Sequence, residues 1–260
     1  MKDPCVYKFP EKLKEGIIVN KLNRFVVIVE IKGYTFKCYC PSTGRIGLVS
    51  LIGLPCLVSE SDEETNRKTQ YTLEAISYDK PSKKDKEWIG VNQTASNTYI
   101  SYFIASGALS KMVIIQNKIE RESYFSHSRL DIKADDTYIE IKTPLQIIEK
   151  KVPSHLVQEL PTESSGKERL IKHLNDLAKH ASDKQRSIIL YCFQYIRDKD
   201  CDYYFDGGGK HNFKFRGSKE IEEAVETASN AGVESWTIEL KITPKKVELV
   251  NYDIYRYDRT

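Results

Sequence analysis

Apolar and polar residues alternate with period two over much of the first eighty positions, a pattern that predicts a run of short strands. Gly16-Ile17-Ile18-Val19 and the stretch 25–31 read as strands, and Lys32-Gly33 turns the chain into a third over Tyr34–Tyr39. Another apolar run ends near Val58, and Tyr71–Ile76 supplies a further strand. Short strands punctuated by Gly and Pro predict a small barrel. The polar runs 59–70 and 79–86 lack periodicity and read as exposed loops, with a domain boundary near the second.

Beyond it the period changes. Asn92 is placed to cap a helix running to about Ala105 and closed by Gly107. Strands are predicted over 121–125, 129–133 and 138–143. Ser165-Gly166-Lys167-Glu168 has the form of a capping box, and Leu170, Ile171, Leu174, Leu177, Ala178 and Ala181 mark one apolar helix face behind it. The nearly continuous apolar run 187–194 predicts a buried strand. A helix over 219–230, with Gly232 past its end, leads to a strand in which Trp236, Ile238, Leu240 and Ile242 alternate. The order α-β-β-β-α-β-α-β predicts a mixed sheet flanked by helices. The fold class is therefore mixed α/β: residues 1–85 form a small β-barrel of the five-stranded OB type and residues 86–260 an α/β domain.

One hairpin in the second domain carries candidate chemistry. Arg129-Leu130-Asp131-Ile132-Lys133 and Tyr138-Ile139-Glu140-Ile141-Lys142 both alternate. A two-residue loop at Asp135-Asp136 would set Asp131 directly opposite Glu140, with Cβ atoms roughly 5 Å apart. Two carboxylates so close repel unless a positive charge lies between them, and a hard divalent cation is suited to that place. Lys142 shares the face of Glu140 and could reach a phosphate oxygen or an attacking water, the components of metal-assisted phosphodiester hydrolysis. The bland alternative is a solvated face with cross-strand ion pairs, Glu140 with Arg129 or Lys133 and Asp131 with Lys142.

Composition adds a little. The net charge of +3 singles out no partner, but residues 1–50 hold nine Lys/Arg against four Asp/Glu, a basic excess that suits phosphate backbones. Six cysteines stand at 5, 38, 40, 56, 192 and 201 without zinc-ligand spacing, and no signal peptide is evident. Reduced thiols and a cytoplasmic location are expected. The most apolar stretch, 46–58, is too short to span a bilayer, so no membrane partner is expected.

An acid on one strand, Glu-x-Lys on the next, then a helix and a strand, resembles the restriction-endonuclease-like nuclease core. More specifically, the chain resembles the sugar fermentation stimulation protein A family over nearly its whole length. The ordered series carries the resemblance: Asn23-Arg24-Phe25, Cys40-Pro41-Ser42-Thr43-Gly44, Arg67-Lys68, Tyr71-Thr72, Glu74, Gly90-Val91-Asn92, Arg121-Glu122, Ser128-Arg129-Leu130-Asp131, Tyr138-Ile139-Glu140-Ile141-Lys142, Glu168-Arg169, Lys172-His173-Leu174, Gln185-Arg186 and Gln194. The resemblance implies an OB-like domain joined to a nuclease domain of the (Asp/Glu)-x-Lys type, acting on DNA or RNA with Mg2+ or Mn2+. It makes Asp131 and Glu140 metal ligands and Lys142 the residue that positions or activates the attacking water. Glu122 becomes a further acid of the site, and Gln194 a supporting or phosphate contact. Ser42 and Leu170 stand where the family has Asn and Gly, and the segment 198–214 is an excursion.

The nucleic-acid contacts expected are Arg24, Tyr34, Phe36, Arg45, Arg129, Lys172 and Gln194, with Tyr34 and Phe36 on one strand face available for base stacking. His173 is open to three readings: a contact with nucleic-acid backbone, packing beside the site, or a solvated helix face. His127 and the glycine-rich Asp206-Gly207-Gly208-Gly209-Lys210-His211 read as bland, the latter lacking the spacing of a phosphate-binding loop. A homodimer is compatible with this pattern. The competing function is a non-catalytic nucleic-acid-binding or regulatory protein, linked to sugar metabolism, whose nuclease-like site is vestigial.

Overall fold

The computed structural model describes residues 3–42, 45–61, 69–125, 128–157, 167–182, 185–198 and 219–255. After a short first strand, β1 (Val6–Lys8), the chain winds β2 (Lys14–Asn23), β3 (Val26–Ile31), β4 (Tyr34–Tyr39), β5 (Pro55–Glu60), β6 (Tyr71–Ile76) and β7 (Ile89–Gly90) into one sheet. Alternation explains its inner face: Val27, Val29 and Ile31 of β3 are buried while their neighbours are not. Lys32 and Gly33 both adopt positive φ, +51° and +83°, the two-residue hairpin turn that matches strand twist. Parallel pairing of β4 with β6, Cys38 to Tyr71 and Tyr39 to Thr72, closes β2 to β6 into a five-stranded barrel. Closure leaves no open edge on those strands.

The larger sheet has the order β1-β13-β12-β11-β10-β9-β8. It comprises β8 (Ile119–Phe125), β9 (Ser128–Ala134), β10 (Thr137–Lys142), β11 (Arg186–Phe193), β12 (Glu234–Ile242) and β13 (Lys246–Ile254), with β1 added from the N-terminal end. β11 lies parallel to both β10 and β12, and the other pairings are antiparallel. The helices are α1 (Gln93–Ala105), α2 (Lys167–Ser182) and α3 (Lys219–Asn230). The fold is thus mixed α/β, a closed barrel followed by a mixed sheet with three helices. The capping-box residues Ser165 and Gly166, His127 and the glycine-rich stretch lie outside the described residues.

From Ile188 onward β11 is apolar because both its faces are covered. Ile189, Tyr191 and Phe193 join a core with Leu174, Leu177 and Ala178 of α2, Ile221 and Val225 of α3, and the barrel interior. Ile188, Leu190 and Cys192 join a second core with Tyr99, Ile100 and Phe103 of α1 and with Trp236, Ile238 and Leu240 of β12. Barrel and sheet are stitched by backbone hydrogen bonds from Leu13 to Pro244 at 2.8 Å and from Gly90 to Gln194 at 2.9 Å. Gly90 is required at that seam: a Cβ there would lie 2.5 Å from the Cβ of Gln194. Cys38, Cys40, Cys56 and Cys192 are buried free thiols, and burial pushes Cys38 and Cys192 up to about 12, so neither is a nucleophile at neutral pH. No helix among the described residues is long and apolar enough to cross a membrane.

Candidate functional site

The β9–β10 hairpin turns where the sequence places it. Asp135 takes φ +48°, and its carboxylate accepts from the N–H groups of Gln116 at 2.7 Å and Lys118 at 2.9 Å, tying the turn to the chain before β8. The ladder pairs Thr137 with Ala134, Tyr138 with Lys133 and Ile139 with Ile132. There the strands part. Continued register would set Ile141 against Leu130, but the Ile141 N–H instead donates to Asp131 Oδ2 at 2.8 Å. Asp131 therefore stands next to Glu140 at the mouth of a splayed hairpin, beyond the last backbone pair.

Four elements meet at this mouth. Asn97 of α1 donates its Nδ2 to Asp131 Oδ1 at 2.9 Å. Glu140, only 2 % exposed, accepts at Oε1 from Lys142 Nζ at 2.5 Å and is hydrogen-bonded there to His173 Nδ1 of α2. His173 Nδ1 also lies 3.1 Å from Lys142 Nζ. A protonated Nδ1 donates to Glu140 and an unprotonated one accepts from Lys142; the ring cannot do both at once. The solvated-face alternative does not describe Glu140, because its partners are Lys142 and His173 inside the molecule. Lys133 instead lies over the Tyr138 ring, 5.2 Å from its centroid.

The two carboxylates are driven in opposite directions. Burial and the neighbouring Glu140 charge push Asp131 above its ordinary range, against the donors Ile141 and Asn97 and the Lys142 charge. Burial also pushes Glu140 upward, but the hydrogen bond from His173 and the charge of Lys142 outweigh it and hold Glu140 below its ordinary range. The site thus sets two buried carboxyl groups with opposed tendencies beside the Lys142 side chain.

Whether such a site suits a divalent cation can be judged from Glu140 Oε2, a buried oxygen with no hydrogen-bond partner. An orphaned anionic acceptor beside a second carboxylate matches a hard, oxygen-seeking ion, which commonly takes one or two protein carboxylates and completes its shell with water and phosphate. Among the described residues no three His, Cys, Asp or Glu side chains are arranged to hold a metal ion together. Glu122 is the further acid expected at the pair. The β8–β9 register sets it opposite Asp131, since Arg121 pairs with Ile132 and Ser123 with Leu130. Its φ of +55° interrupts the ladder at that residue, and its side chain is exposed.

The other expected contacts are scattered. Tyr34 is 72 % exposed, while Phe36 is half-buried and edge-on to Tyr71 at 5.1 Å. Both line an open groove of the barrel with Lys12, Lys14 and Lys32. Arg24 is exposed over the Phe25 ring. Arg45 is half-buried and donates to its neighbour Gly47 O at 3.1 Å. Lys172 is exposed on α2 beside His173, and the Arg129 side chain lies outside the described residues. Gln194 requires a correction: it is fully buried, with Nε2 donating to Asn92 O at 2.8 Å and Ser96 Oγ at 2.9 Å, so it braces α1 and offers no surface to nucleic acid.

Asn97 is the site residue that sequence reasoning missed, because a partly exposed Asn on a helix gives no local sign of a partner 34 positions away. His173 did leave a sign. It falls three residues after Leu170 and four before Leu177, inside the apolar stripe of α2.

Comparison with known proteins agrees with this architecture. The profile for the SfsA N-terminal OB domain matches residues 19–91, and that for the sugar fermentation stimulation protein RE domain matches residues 94–246. A sugar fermentation stimulation protein homolog of Synechococcus sp. is 26 % identical over 246 residues, covering 93 % of this chain and 92 % of that protein. One from Methanobrevibacter smithii is likewise 26 % identical, covering 93 % and 98 %. The structure of Pyrococcus furiosus SfsA in complex with Ca2+ shares the fold, with a TM-score of 0.65 at 19 % identity over 95 % of this chain and 96 % of that one.

Proposed function

The chain belongs to the sugar fermentation stimulation protein family, and from that premise we propose that it is a divalent-cation-dependent nuclease cleaving phosphodiester bonds in DNA or RNA. The observation that carries this reading is the buried Glu140, whose Oε2 has no hydrogen-bond partner and which lies next to Asp131 and Lys142. Asp131 and Glu140 are the residues that would hold Mg2+ or Mn2+, and such an ion supplies Lewis-acid polarisation of the scissile phosphate and a more acidic water. A relative whose structure is described in complex with Ca2+ supports a cation at this fold. Lys142 keeps an ammonium next to the carboxylate pair, where it orients the attacking water and offsets charge developing on the phosphate. His173 shares Glu140 Oε1 with Lys142 and so holds that carboxylate in place.

In this proposal residues 1–85 are the nucleic-acid-binding part and 86–260 the hydrolytic part, with β1 as the strand of the first that docks on the second. The groove at Tyr34 and Phe36 is the base-stacking surface, and its lysines meet the backbone phosphates.

The deciding experiment is a cleavage panel. End-labelled single- and double-stranded DNA and RNA are incubated with wild type and Lys142→Ala, in Mg2+, Mn2+ or chelator. Metal-dependent cutting by wild type alone is the expected result. Binding that persists in chelator without cutting of any substrate would instead favour the non-catalytic reading, for which the convergence of only two acids among the described residues is the supporting observation.

A further inference from the structure

Asn97 donates its side-chain amide to Asp131, and the contacts around it fix the helix from which it reaches. Asn92 caps α1, its Oδ1 accepting from Ala95 N at 3.1 Å. The Asn92 Nδ2 donates to Glu74 Oε2 of β6 at 2.8 Å, and Glu74 also accepts from Ser59 Oγ of β5 at 2.6 Å. The barrel thereby grips the helix start. From the sheet side, Gln194 binds Asn92 O and Ser96 Oγ. Ser96 Oγ is 2.9 Å from Thr143 Oγ1, and Gln93 Nε2 donates to Thr143 O at 3.3 Å. Thr143 directly follows Lys142. The first turn of α1 is thus pinned to the barrel, to the end of β11 and to the residue after Lys142, and Asn97 is the next residue on.

We propose that Asn97 is the positioning residue of the acidic pair. With Ile141 N–H on one oxygen and Asn97 on the other, the Asp131 carboxylate is held on the side where the β9–β10 ladder has ended at Ile132. One donor on each oxygen leaves the remaining lone pairs of Asp131 open beside Glu140. Asn97 touches neither cation nor substrate in this assignment; it acts through Asp131, and the anchored helix turn sets its reach. The geometry stands without the nuclease reading, whereas its consequence for cation affinity rests on that reading.

The test uses the full chain and the near-isosteric Asn97→Leu, with Asn97→Ala as a second variant should the leucine not fold. Two quantities are measured: amide hydrogen exchange without metal, and Mn2+ affinity by calorimetry. Expected are exchange of the Ile141 amide faster by roughly ten-fold, with Tyr138 and Ile139 unchanged, and Mn2+ binding weaker by about 10- to 100-fold. Unaltered protection of Ile141 would overturn the proposal. So would unaltered Mn2+ affinity in a variant whose Ile141 is loosened. Should wild type bind no Mn2+, the cation reading of Asp131 and Glu140 falls, and the exchange arm by itself decides whether Asn97 positions Asp131.

Discussion

Lys142→Met isolates the ion pair at the centre of the site. The substitution keeps the length and most of the apolar stem of the side chain but removes the ammonium from Glu140, whose carboxylate is buried and whose Oε2 already lacks a partner. Breaking a fully buried pair costs about 3–5 kcal/mol. Two features reduce that here: the Lys142 side chain is 22 % exposed, and His173 stays on Glu140. A loss of about 2–3 kcal/mol at neutral pH is therefore expected, or roughly 4–12 °C in Tm for a chain of this size. The pH dependence is fixed by sign. Glu140 is held below its ordinary range, so its contribution is present above the unfolded carboxylate pKa and is lost as pH falls through the depressed folded one. The gap between wild type and variant should accordingly close on acidification. Urea unfolding in chelator would measure wild type, Lys142→Met, Glu140→Gln and the double variant at neutral and acid pH. Additive single losses, or a Lys142→Met loss that does not depend on pH, would refute the pairing argued here.

Four further substitutions have expected outcomes. Asp131→Asn should gain in stability relative to wild type as pH rises from acid to neutral, because the folded state raises the Asp131 pKa and wild type loses stability as that carboxyl ionises. The gain should vanish as pH falls below the ordinary carboxylate range, and calorimetry should show no cation response; urea melts across pH check the first part. Gly90→Ala forces a Cβ into Gln194 and should cost about 1–3 kcal/mol in urea unfolding. Tyr34→Ala, at a 72 % exposed position, should leave stability within about 0.5 kcal/mol. It should also weaken single-strand binding by about 1–3 kcal/mol in a fluorescence titration. Phe36→Ala should lower stability as well, since that ring packs on Tyr71.

Local patterns were legible in this chain. The Asn92 cap, the Gly107 and Gly232 helix ends, the Lys32-Gly33 turn and the Asp135-Asp136 hairpin all rest on contacts within a few residues of one another, and each is found where the residue types place it. What escaped was non-local. β1 has three residues and pairs with β13, Val6 against Glu248, so no window on the sequence contains both partners. β13 is exposed along much of its length and carries only a weak alternation of its own. Glu74 offered a clue in retrospect, as a carboxylate inside the apolar strand β6, and burial raises its pKa against the hydrogen bonds from Ser59 and Asn92. A charged residue in such a strand must find partners. Sequence alone does not say that the partner caps a helix of the other sheet.

The same distinction explains the candidate site. Asp131, Glu140 and Lys142 come from one hairpin, so period and spacing brought them together on paper. Their behaviour is decided from elsewhere, by Asn97 of α1 and His173 of α2, two helices on opposite faces of the sheet. Without those two residues the hairpin would present a pair of repelling carboxylates that could relax by turning outward into water. With them, one carboxylate is clamped at both oxygens and the other is held below its ordinary pKa with one oxygen left unpartnered. The hairpin supplies the charges, and the helices prevent those charges from escaping one another. The raised Asp131 pKa marks the cost of that burial and closeness, which a cation between the two carboxylates would offset. Added Mn2+ should therefore raise the Tm of wild type but not that of Asp131→Asn, and equal shifts in the two proteins would place the ion elsewhere.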